Sequence, residues 1–148
     1  MKGDSSVAAE EHAVKCASVL RERVWDENKQ WRKGAWDDII HAVRYESWYV
    51  SDCSVGAACA FEFIVGIAVS YLRNEYICSL HRTDRSKMKE VIGWANDLRY
   101  YVNYASVGLW GHINSLPFTD DERELLIYAG DRYRYLLLVL EKYIPDTS

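Results

Sequence analysis

Between Cys53 and Leu72 the chain reads Cys-Ser-Val-Gly-Ala-Ala-Cys-Ala-Phe-Glu-Phe-Ile-Val-Gly-Ile-Ala-Val-Ser-Tyr-Leu, with Glu62 its single charge. Such a stretch has two homes. Its length suffices to cross a bilayer, but a carboxylate at mid-span costs about 2.5–3.5 kcal/mol on insertion scales. A helix that is apolar all round is also stable when neighbouring helices bury it. The buried helix is the favoured reading, and it sets the expected fold: one central apolar helix wrapped by amphipathic ones.

The flanking segments supply those wrappers. From Ala8 to about Trp25, Val14, Ala17, Val19, Leu20 and Val24 recur every three to four residues, with Glu10 and Glu11 placed where a helix N-terminus favours negative charge. Asp26 to Gly34 is polar apart from Trp31, and its state is left open. Trp36, Ile39, Ile40 and Val43 follow an i, i+3, i+4, i+7 pattern that predicts a short amphipathic helix ending near Ser51-Asp52. The charged run His81-Arg82-Thr83-Asp84-Arg85-Ser86-Lys87 reads as a solvated loop. After it, Met88, Val91, Ile92, Ala95, Leu98 and Val102 mark a helix, and the glycines of Gly108-Leu109-Trp110-Gly111 predict a turn. Thr119-Asp120-Asp121-Glu122 is a capping box opening a long last helix, which Pro145 ends.

The whole chain, 148 residues, is one domain's worth of protein (1–148), with 49% hydrophobic and 14% aromatic residues to fill a core. Only Pro117 and Pro145 interrupt helix formation, so the expected class is all-α, a compact bundle of about six to eight helices. A net charge of −4 offers no broad positive field, and no nucleic-acid partner is expected. The four cysteines show no Cys-x-x-Cys spacing, and the polar N-terminus lacks the apolar core of a signal peptide. Reduced thiols and a cytoplasmic location are expected.

Chemistry-bearing constellations are sparse. His12, His41, His81 and His112 are scattered singly, and Asp38-Ile39-Ile40-His41 is the one acid-x-x-His pair, where a di-iron bundle needs two. The carboxylate pairs Glu10-Glu11, Asp37-Asp38 and Asp120-Asp121 sit at expected helix starts, where capping explains them. No enzyme, metal or cofactor is therefore expected.

Against this background Gly56-Ala57-Ala58-Cys59-Ala60-Phe61-Glu62-Phe63 resembles the central-helix motif of the B-cell lymphoma 2 (Bcl) family of apoptosis regulators, from its Gly onward. Trp36 to Val43 resembles the short helix preceding that motif, Ile92-Gly93-Trp94 its Trp-bearing partner helix, and Gly108-Leu109-Trp110 the Gly-Gly-Trp of the second Bcl-homology motif. The matches fall in the family's order over roughly residues 36–113. The family's Asn-Trp-Gly-Arg is Ser54-Val55-Gly56-Ala57 here, so the Arg that pairs with the Asp of a bound Bcl-homology 3 helix is missing, and Arg44 is the candidate substitute. The apolar run Tyr135 to Leu140 is too short for a membrane anchor. An anchorless member is more similar to the viral homologues than to the cellular ones.

The resemblance implies an inhibitor of apoptosis that sequesters amphipathic Bcl-homology 3 helices of pro-apoptotic proteins in a hydrophobic groove. The implied floor is Gly56, Ala57, Ala60 and Phe61, the wall Ile39, Ile40, Val43 and Arg44, with Trp110 at the border. The competing expectation is a helical protein that self-associates, as a homodimer for example, through aromatics such as Trp31, Trp48, Tyr49, Tyr100 and Tyr101.

Overall fold

Length and apolar content first dictate helices. In the computed structural model, which describes residues 4–51 and 55–144, the chain forms five: α1 (Asp4–Val24), α2 (Ala35–Ser51), α3 (Val55–Arg82), α4 (Arg85–Ser115) and α5 (Asp120–Leu140), closed by a 3-10 turn at Glu141–Tyr143. No strand occurs among the described residues. Asp52, Cys53, Ser54 and Pro145, assigned above to a polar break, to the start of the central helix and to the end of the last one, lie outside those residues.

The central helix is α3, which packs against each of the other four. It is the one helix among the described residues long and apolar enough to cross a membrane, yet 56% of its most apolar window is buried inside the bundle. Phe61, Val65, Ala68 and Leu72 have no exposed surface, and Glu62 is met by Arg132 of α5 at 3.1 Å, so its charge is paired where it leaves water. α1 lays a small-residue stripe, Ala9, Ala13 and Ala17, continued by Leu20 and Val24, into the core. Small side chains let two backbones approach closely, and α1 and α3 are the most extensively packed pair.

Six to eight helices are thus replaced by five longer ones, for two local reasons. The basic run at 81–87 is not a loop: α3 continues through Arg82 and α4 starts at Arg85. Thr83 takes a left-handed φ of 51°, Asp84 N–H reaches the Ser79 carbonyl and Thr83 N–H that of Leu80, a Schellman turn. The Asp84 carboxylate then accepts from Lys87 N–H and caps α4. Nor do Gly108 and Gly111 make a turn, since both lie inside α4. A glycine in a helix costs about 0.5–1 kcal/mol, which the packing of Ala105, Leu109 and Ile113 outweighs. The capping box at Thr119 and Glu122 forms as the sequence predicts.

The segment left open, Asp26 to Gly34, is a tight reversal. The Asp26 carboxylate accepts from the N–H groups of Asn28 and Gln30, and Gly34 adopts φ 75°, a conformation glycine enters without a steric penalty. Trp25 and Trp31 pack edge to face across it at 5.5 Å, and Trp31 continues onto Tyr71 of α3 at 5.1 Å. Nearby, Trp36 stacks on Trp94 at 5.3 Å, joining α2 to α4. Aromatic pairs of this kind contribute about 0.5–1.5 kcal/mol beyond their burial.

Candidate ligand cleft between the first two helices

α1 and α2 both lean on α3, and they touch each other far less than either touches it. A furrow of about 370 Å³ remains between them. On α1 it is bordered by His12, Cys16, Val19 and Arg23, positions separated by three or four residues and hence on one helical face. On α2 the border is Asp38, His41, Ala42, Tyr45 and Glu46, again one face, and Ile64 of α3 forms the floor. The volume lies in the range of ligand-binding cavities, roughly 300–1,000 Å³, with a mostly apolar interior and a few convergent polar groups.

The polar groups meet at one end. Cys16 Sγ lies 3.5 Å from His12 Nε2, one helical turn apart, and the Glu46 carboxylate arrives from α2 so that the three donor atoms lie within 4.8 Å of one another. His12 is exposed, Cys16 half-buried and Glu46 buried. Burial pushes the Cys16 thiol up, with the Glu46 charge adding to it and Lys15 opposing. Burial likewise raises the Glu46 carboxyl, against the pull of His12. An imidazole, a thiol and a carboxylate at this spacing form a donor set for a transition-metal ion.

The residues expected to line a groove lie elsewhere. Ile39, Val43, Ala57, Ala60 and Phe61 are at most 2% exposed and belong to the core. The floor assigned to α3 is covered by the chain itself: a Cβ on Gly56 would stand 3.2 Å from the His12 ring of α1, and Phe61 packs edge-on to Tyr133 of α5 at 5.2 Å. Ile40 is half-buried. Arg44 is exposed, its guanidinium 5.9 Å from the Trp48 ring centroid. Trp110 is half-buried between α4 and α5, its indole under the Arg134 guanidinium at 3.9 Å. These residues therefore do not form one open surface.

The His12–Cys16 pair was within reach of the sequence, since i, i+4 spacing on an amphipathic helix places both side chains on one face. Glu46, thirty positions downstream of Cys16, carries no local signal that connects it to them. Asp38 and His41, read as an isolated pair, border the same cleft. Comparison of the chain with family models, with curated proteins and with solved structures finds no match.

Proposed function

We propose that this chain is a non-catalytic interaction protein that holds an amphipathic partner helix in the cleft between α1 and α2, and that its partners are Bcl-homology 3 helices of pro-apoptotic proteins met in the cytoplasm. The observation that carries the reading is the cleft itself: an apolar interior of Val19, Leu20, Ala42 and Ile64 flanked by Lys15 and Arg23 on one side and Asp38 on the other. Helix-in-groove recognition needs this combination, apolar anchors for the buried stripe and charges for the rim. The ordered motif matches over residues 36–113 support the apoptotic assignment. Arg23 and Lys15, at the mouth, are the cations available to a ligand Asp, in place of the Arg44 expected above.

Calorimetric titration with a panel of Bcl-homology 3 peptides tests it. Saturable nanomolar-to-micromolar binding, weakened at least tenfold by Ala42→Trp in a chain that remains helical, is the expected result. Silence across the panel overturns the reading.

A second reading rests on a separate observation, the exposure of Trp48 (52%), Tyr100 (65%) and Val107 (68%) on α2 and α4. Under it the protein self-associates through these side chains. Sedimentation showing a monomer at all concentrations removes it.

A further inference from the structure

Three groups of unlike chemistry converge at one end of the cleft. An isolated thiol–imidazole contact is explained by the hydrogen bond between Cys16 and His12 alone. That bond does not involve Glu46. A carboxylate taken out of water needs a compensating charge or donor, and Glu46 is 9% exposed on the helix opposite, with one of its oxygens within 4.8 Å of the other two donor atoms. One separation also matches a coordination sphere, while the three donor atoms together lie within 4.8 Å of one another. A tetrahedral zinc ion with bonds of about 2.3 Å to sulfur and about 2.0 Å to nitrogen holds those two atoms about 3.5 Å apart; Cys16 Sγ and His12 Nε2 are 3.5 Å apart.

We propose that His12, Cys16 and Glu46 form a binding site for a zinc-class divalent cation: Nε2 of His12, the thiolate of Cys16 and a carboxylate oxygen of Glu46 supply three ligands. The fourth position faces the cleft and is filled by water. Both α1 ligands come from successive turns of one helix face, and the third bridges to α2, so the ion clamps together two helices that touch each other far less than either touches α3. Binding converts the Cys16 thiol to thiolate, and its proton leaves to solvent as the S–metal bond forms. The site is read independently of peptide binding, and its test needs no peptide.

The full-length, reduced protein is titrated with zinc and, separately, with cobalt(II), following heat and the visible spectrum. Expected are one zinc per chain, proton release seen as a dependence of the binding heat on buffer ionisation enthalpy, and a cobalt spectrum combining a thiolate charge-transfer band with the intense d–d bands of tetrahedral geometry. His12→Ala, Cys16→Ser and Glu46→Gln each weaken zinc at least about 100-fold, beyond the 10–100-fold that loss of a merely supporting group costs. Cys59→Ser and Cys78→Ser leave it unchanged. Absence of stoichiometric zinc, a cobalt spectrum without the thiolate band, or zinc affinity retained in Cys16→Ser overturns the proposal. His12 is exposed, so His12→Ala decides the matter even where the other variants lose helix content: retained affinity in that variant also overturns it. Failure here leaves the peptide titration untouched, and the reverse holds as well.

Discussion

The indole of Trp110 occupies the space into which Gly130 would project a side chain: a Cβ built at residue 130 lies 2.7 Å from two of its ring carbons. This approach sets the distance between α4 and α5 at that level, with the Arg134 guanidinium over the ring. Gly130→Ala is expected to destabilise the fold by about 1–3 kcal/mol, because overpacking outweighs the better helix propensity of alanine. Gly93, also helical, has nothing within 4 Å of a new Cβ, and Gly93→Ala is expected to stabilise by about 0.4–1 kcal/mol. Denaturant midpoints of the two variants should move in opposite directions; a common direction would refute the packing account.

Arg132 and Glu62 tie α5 to α3 at 3.1 Å, the carboxylate side chain 12% exposed and the guanidinium side chain 39%. Removing the cation strands a charge that is mostly desolvated, whereas removing both leaves two neutral groups. Arg132→Gln alone should cost about 1–2 kcal/mol, a figure reduced for the exposure of the arginine, and Glu62→Gln added to it should recover part of the loss. A double-mutant cycle with no coupling between the two positions would show that the pair contributes nothing.

Tyr133 of α5 donates its hydroxyl to the Ala58 carbonyl of α3, and burial raises its pKa well above the ordinary tyrosine value. Tyr71 is raised too, by burial first and then by the hydrogen bond and charge of Glu75. For both, the folded state holds the proton more tightly than the unfolded chain, so the stability they contribute is fully present below pH 10 and is lost as pH rises beyond it. Denaturation followed from neutral pH into the alkaline range should show a plateau and then a decline. Tyr133→Phe is expected to cost about 1 kcal/mol at neutral pH and to make that decline shallower; an unchanged alkaline slope would contradict the assignment.

Thr83 holds φ 51° in the turn between α3 and α4, where a β-branched residue is strained and glycine is not. Thr83→Gly is expected to raise the unfolding free energy by about 1 kcal/mol. A lower thermal midpoint for the variant would mean that the threonine side chain makes a compensating contact.

The all-α class, the burial of the helix around Phe61, the amphipathic faces of α2 and α5 and the capping box at Thr119 were all legible in the sequence, because periodicity and capping are properties of a few consecutive residues. On α1 the period marks Ala17, Leu20 and Val24 correctly, but Val14 and Val19 stand exposed and Ala9 and Ala13 take the core positions. The helix ends at Thr83 and the continuity of α4 through Gly108 and Gly111 were not legible: a charged run conceals a Schellman turn and an Asp84 cap joining two helices, and core packing carries α4 through its glycines. Apolar spacing marks Ile39, Val43 and Phe61 as facing something, without distinguishing a core from a groove; only the arrival of α1 and α5 over α3 settles that they are core. Likewise His12 and Cys16 share a face by helical geometry alone, but Glu46 joins them only when α1 and α2 are laid side by side on α3. Residues distant along the chain become neighbours through the packing of whole helices, and a pattern confined to one helix does not specify which neighbour it will meet.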